Sequence, residues 1–110
     1  MTKSINASDV NLIIMACEAG MGSSLMVVNS IKKKLKKAKV QGVKVIHKPA
    51  RNVPETAKVV VVHEGLSKVV RRKAPDAVIV KFKHFLNDPA FDRLVNSFVE
   101  GGDIVNTVEA

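Results

Sequence analysis

Leu12-Ile13-Ile14-Met15-Ala16-Cys17-Glu18-Ala19-Gly20-Met21-Gly22-Ser23-Ser24 is the stretch on which the reading of this chain turns. An apolar run ends at the chain's single cysteine, and a loop of small residues with two glycines and two serines follows. A short apolar run of this kind reads as a strand covered on both faces, the form found inside parallel sheets. The order is therefore strand, tight loop, helix start, with Cys17 as the first loop residue. A helix N-terminus offers unpaired N–H groups and the positive end of the helix dipole. Those features bind oxyanions and lower the pKa of a nearby thiol. Gly20 and Gly22 let the backbone turn successive N–H groups toward one point, as in an anion nest. Ser23 and Ser24 carry hydroxyls that can bond a phosphate oxygen or cap the helix, and the two roles compete. The segment predicts a nucleophile held inside a phosphate cradle.

Outward from this segment, strands and helices alternate. The first strand is expected over Val10–Ala16. A helix then runs to about Ala38, with Leu25, Val28, Ile31, Leu35 and Ala38 as its apolar stripe and lysines on the other face. Gly42 ends that unit. Val43–Ile46 is a second strand, and Pro49 and Pro54 bracket a polar loop. Val59–Val62 is a third strand, followed by a short helix around Leu66–Lys73, and Ala77–Val80 is the fourth. Asp88 is placed as N-cap and Pro89 as first residue of a last helix that buries Phe91, Leu94, Val95 and Phe98. Gly101-Gly102 closes it, and 103–110 is expected to be a loose tail. Strands and helices alternating at this spacing imply parallel βαβ units with right-handed crossovers. The fold class is α/β: a single-domain three-layer sandwich with a four-stranded parallel sheet and an ordered core over about 10–100.

Composition sets the outer bounds. A chain of 110 residues with 46% hydrophobic content is one domain and too apolar to be disordered. No apolar stretch approaches the ~20 residues of a membrane span, so no direct membrane insertion is expected. One cysteine permits neither an internal disulfide nor a cysteine-only metal site. His47, His63 and His84 each follow a strand, but no pair has metal-ligand spacing, and no metal is expected. The N-terminus carries no secretion-type apolar core, and the expected compartment is the cytoplasm. The net charge of +8 is unevenly placed: nine Lys or Arg and no acid lie between Ala19 and Pro54, with six lysines within Lys32–Lys39. Such a stripe favours anionic partners or is a solvated helix face.

A lone cysteine after a strand is commonly a small inert hydrophobe, and a Gly-x-Gly turn is weak on its own. This one lacks the third glycine and the ribose-binding acid of a dinucleotide site, and no Gly-Lys-Ser/Thr makes it a Walker loop. Strand, cysteine, two glycines, two serines and helix in combination argue against inertness. Residues Ile14–Ser24 closely resemble the phosphocysteine loop of the enzyme IIB components of the bacterial sugar phosphotransferase system. The closest type is the mannitol one, whose loop reads Cys-Asp-Ala-Gly-Met-Gly-Ser-Ser. Strand order and loop placement extend the resemblance over roughly residues 10–100.

The resemblance implies a phosphocarrier that uses no cofactor. Cys17 would take phosphate from a phosphohistidine of the IIA partner and pass it to a sugar, or a sugar alcohol such as mannitol, held by the membrane IIC partner. By position, the N–H groups of Glu18, Ala19, Gly20, Met21, Gly22, Ser23 and Ser24 would form the cradle. After the third strand the mannitol components typically read Thr-His-Arg-Asp-Leu, whereas this chain has Val62-His63-Glu64-Gly65-Leu66. His63 is thus a rim residue that could contact phosphate or hold a structural hydrogen bond. The lysine face is expected to assist docking of IIA.

Three other readings compete. A low-molecular-weight tyrosine phosphatase has a similar loop and fold, but needs Cys-x5-Arg to clamp the phosphoryl oxygens. Ser23 stands at that position here, the loop has no arginine, and Asp88-Pro89, superficially a general acid, reads better as a helix cap. A nucleic-acid module is suggested by the charge, but with four Phe, no Trp and no Tyr stacking platforms are scarce, and no nucleic-acid partner is expected. A regulatory IIB-like domain of a transcriptional regulator would keep the same loop.

Overall fold

β-branched residues fill the strands of this protein because their side chains pack well on a pleated, covered surface. The computed structural model describes residues 4–17, 23–83 and 89–105. Its strands are β1 (Ser4–Asn6), β2 (Leu12–Cys17), β3 (Lys44–Pro49), β4 (Val59–His63), β5 (Val78–Phe82) and β6 (Asp103–Val105). The helices are α1 (Ser23–Lys37), α2 (Ser67–Lys73) and α3 (Pro89–Glu100), with short 3-10 turns at Ala7–Asp9, Ala50–Asn52 and Glu64–Leu66.

β2 to β5 form a four-stranded parallel sheet in the order β3-β2-β4-β5. Alternation along each strand divides the side chains between two cores. Ile13, Met15, Val59, Val61, Val80 and Phe82 face α1 and α3, meeting Val27, Val28, Ile31, Phe91 and Leu94. Ile14, Ala16, Val60, Val62 and Ile79 face the other way, onto Ala50, Val53, Val70 and Ala74. Helices therefore cover both faces, as the three-layer reading requires. Arg71 of α2 is buried and donates from Nη1 to the carbonyl oxygens of Pro75 and Ala77 (2.8 and 3.1 Å), which ties α2 to the start of β5.

Several expectations shift. The first strand starts at Leu12 rather than Val10, and the second and fourth run on to Pro49 and Phe82. The apolar stripe of α1 is corrected at its first turn: Leu25 is 50% exposed, and Val27, absent from the expected stripe, is fully buried. Phe98 is partly buried rather than in the core. The helix ends at Lys37, close to the expected Ala38, and the residue that stops it is Lys39 rather than Gly42. Val40 N–H donates to Leu35 O (2.9 Å) and Lys39 N–H to Lys36 O (3.0 Å), with Lys39 in the left-handed conformation at φ 62°. This is a Schellman stop in which lysine occupies the position glycine favours, at a cost of about 1 kcal/mol. Gly42 (φ 80°) instead shapes the turn into β3.

The loose tail expected from 103 is also corrected. Asp103–Val105 pairs antiparallel with Ser4–Asn6, and Ile104 is buried against the α1/α3 core. Asn6 Nδ2 donates to Gly101 O and to Asp103 Oδ1 (both 3.3 Å), which holds the two chain ends together. The expected cap at Asp88 lies outside the described residues.

Candidate functional site

The strand order reverses at β2. From β2 the chain crosses by α1 to β3 on one side, then passes back over β2 to β4 and continues outward to β5. In open α/β sheets the crevice beyond the C-terminal ends of the strands at such a switch point is where ligands bind. The strands flanking it here are β2 and β4. Their last paired residues are Ala16 and Val62. The next residue on each is Cys17 and His63, so these two backbones stand at neighbouring strand ends, about 5 Å apart by the strand spacing. On its other side Cys17 is in register with Pro49, the last residue of β3.

Of the expected cradle, Cys17 ends β2 and Ser23 and Ser24 open α1. Glu18, Ala19, Gly20, Met21 and Gly22, whose N–H groups were expected to complete it, lie outside the described residues. The connection from β2 to α1 is residues 18–22 and starts at the switch point. The positive end of the α1 dipole therefore follows the end of β2 after five residues of chain.

His63 sits on the same rim with both ring nitrogens occupied. Gly65 N–H donates to Nδ1 (3.2 Å), and Nε2 bonds the carbonyl oxygen of Lys83 (3.2 Å), an arrangement the Nε2–H tautomer satisfies. The ring also meets Phe82 edge-on at 5.6 Å. These contacts tie the turn after β4 to the end of β5, and they match the structural hydrogen-bond reading of this histidine. His47 is exposed on β3, and His84 lies outside the described residues. Among the described residues no three His, Cys, Asp or Glu side chains gather as metal ligands would.

Two features of the surroundings were not foreseen. Leu25 and Met26 are about half exposed, an apolar pair on the first turn of α1. A periodicity argument misses them because it assumes that a helix is packed along its whole length. The lysines lie elsewhere: Lys32 is nine residues along α1 from Ser23, about 14 Å by helix rise, and Lys36 is about 20 Å away. The lysine face expected to help dock a partner is thus displaced toward the opposite end of the sheet. Lys34 is drawn toward α3 by an ion pair with Asp92 (2.9 Å).

Residues 12–97 match the family described as "PTS system, Lactose/Cellobiose specific IIB subunit". The chain is 32% identical over 98 residues to a PTS system mannitol-specific EIICB component of Staphylococcus carnosus, covering 89% of this chain and 19% of that protein. It is 36% identical over 91 residues to the mannitol-specific EIICB component of Bacillus subtilis, covering 83% of this chain and 19% of the relative. With the mannitol-specific EIICBA component of Buchnera aphidicola it shares 35% over 95 residues, covering 86% and 15%. The chain therefore spans about a fifth or less of the length of these curated relatives.

Proposed function

Because this chain belongs to the IIB family of the phosphotransferase system, we propose that it is a phosphocarrier in which Cys17 is the phosphorylated residue. The observation that carries this reading is the position of Cys17 at the C-terminal end of β2, at the switch point of the sheet, five residues of chain before α1 begins. The Cys17 thiolate attacks phosphorus of a phosphohistidine on a IIA partner. An S–P bond forms, the P–N bond breaks, and the imidazole leaves and is reprotonated from solvent. The N–H groups of Glu18 through Ser24 hold the phosphoryl oxygens. A hydroxyl of a sugar bound by a IIC partner then attacks phosphorus and gives up its proton to solvent, an O–P bond forms, the S–P bond breaks, and the thiolate is restored. The names of the relatives favour a sugar alcohol, mannitol, as acceptor.

The rim residues take supporting parts in this reading. His63 is a positioning residue, since its ring nitrogens are taken up by Gly65 and Lys83. Leu25 and Met26 supply an apolar margin for the partner that presents or receives phosphate. Backbone N–H groups stabilise the phosphoryl charge without supplying a base for water, so phosphate is held until an acceptor arrives. A phosphatase reading lacks the loop arginine that such an enzyme uses to clamp phosphate. The compartment that fits this chemistry is the cytoplasm, and among the described residues no helix is long and apolar enough to cross a membrane.

The test is intact mass after incubation with phosphoenolpyruvate, the general phosphocarrier proteins and a IIA component. One phosphoryl adduct is expected on the wild-type chain and none on Cys17→Ser. An adduct that persists in Cys17→Ser would place the phosphorylated residue elsewhere.

A further inference from the structure

A groove of about 610 Å3 runs between the C-terminal half of α1 and the outer edge of β3. Lys32, Lys36, Lys39 and Lys44 wall it, and Val40 and Val43 lie on its floor. All four lysines are exposed, and no Asp or Glu occurs in the chain between Ala19 and Pro54 to neutralise them locally. Lys39 keeps its place although its backbone conformation is one that favours glycine. β3 is an edge strand, with β2 as its only strand neighbour among the described residues. Lys44 N–H donates inward to Asn11 O (2.9 Å). By the alternation of a strand, Val45 and His47 then turn their N–H and C=O groups to the open side.

We propose that this groove is a docking site for an extended acidic segment of a partner protein, which adds to β3 as a further strand. Main-chain hydrogen bonds to Val45 and His47 would supply the pairing, alternate apolar side chains would reach Val40 and Val43, and the intervening carboxylates would meet the lysines. The charge selects among occupants. A second copy pairing edge to edge would bring lysines against lysines, a device that keeps natural strand edges apart. A lipid surface would meet the lysines but leave the strand edge unused. A nucleic acid would use neither the edge nor the apolar floor, and Phe82 and Phe91 are buried and offer no stacking surface. The groove begins at Lys32, about 14 Å along α1 from Ser23, and extends away from that end of the helix.

The probe is a fluorescein-labelled peptide of alternating glutamate and valine, followed by anisotropy at low and physiological salt. Saturable binding is expected, weakened roughly tenfold when glutamine replaces each glutamate, as the loss of several exposed ion pairs would give. The double variant Lys36→Glu, Lys44→Glu should bind the acidic peptide at least as poorly, with an unchanged circular dichroism spectrum. His47→Pro removes one outward N–H at a position where an edge strand tolerates proline, and should lose binding that His47→Ala retains. Equal binding by His47→Pro and His47→Ala would overturn strand addition. So would single-stranded oligonucleotide or phosphatidylglycerol vesicles that bind as tightly as the peptide with the same lysine dependence. Cys17→Ala should bind the peptide as the wild type does, which separates failure of this proposal from failure of the phosphocarrier reading.

Discussion

The first turn of α1 and its last two turns face opposite requirements. At the first turn the chain carries no basic residue: Ser23 and Ser24 open the helix at the strand ends, and Leu25 and Met26 stand half exposed. Over the last two turns it carries five lysines, and a sixth at Lys39 completes the stop. The helix dipole accounts for part of this asymmetry, because cations are favoured at a C-terminus and anions at an N-terminus. It does not account for the lack of an acidic residue in the first turn, where a carboxylate would stabilise the helix. A site that must receive a phosphoryl group gains by leaving that end free of its own carboxylates. In the proposed readings one end of the helix receives a small, tightly held anion and the other an extended, diffusely charged one.

The largest expected effect breaks the comparison at the near end. Cys17→Ser should abolish phosphoryl labelling, because a serine hydroxyl without an adjacent base is a far weaker nucleophile than a thiolate. Reversal of two exposed lysines at the far end, Lys33→Glu with Lys37→Glu, should leave labelling complete. Those positions lie beyond the ~8 Å over which exposed charges act at physiological salt. Ultraviolet titration of the thiol should give a pKa below the ~8.5 of free cysteine in both wild type and the lysine variant. A shift of that titration in the lysine variant would mean that the two ends are electrostatically one site.

A second effect, in stability, sharpens the contrast along the same helix. Ile31 is fully buried between the sheet and α3 side of the core, so Ile31→Ala should cost about 2–5 kcal/mol in urea unfolding. Leu25→Ala, at a position 50% exposed, should stay within about 0.5 kcal/mol of wild type while slowing phosphoryl transfer from the IIA partner. A large stability loss in Leu25→Ala would restore that residue to the core and remove the apolar margin.

Much of this architecture could be read from the chain, and the exceptions share a cause. Val59–Val62 and Ile13–Ala16 announce buried strands through composition alone, and the family of the Cys17–Ser24 loop is legible in residue types that lie close together in sequence. Leu25 has the right spacing to be core, but spacing does not reveal which turns of a helix the rest of the chain covers. Asp103–Val105 has one inward side chain, Ile104, and its partner strand is almost a full chain length away, so neither periodicity nor a turn signal marks it. His63 could be placed on the rim from sequence, but the occupation of both its nitrogens depends on Lys83, which only the pairing of β4 with β5 brings near. Local patterns thus carry the elements, and long-range pairing decides which of their residues are free to act.

The smallest effect bears on the far end and on why it keeps its lysines. Lys39 holds φ 62° at the Schellman stop, a conformation that costs an L residue with a Cβ about 1 kcal/mol and glycine nothing. Lys39→Gly should therefore stabilise the chain, offset in part by the greater backbone freedom glycine has in the unfolded state. A net gain of about 0.5 kcal/mol, a Tm rise of roughly 2–4 °C, is expected by differential scanning calorimetry. The same variant removes one of the four groove lysines and should weaken binding of the glutamate–valine peptide about twofold. Opposite signs in the two measurements would mark Lys39 as a residue held against backbone preference by its charge. A gain in stability with unchanged peptide binding would leave Lys39 outside the docking surface and narrow that surface to Lys32, Lys36 and Lys44.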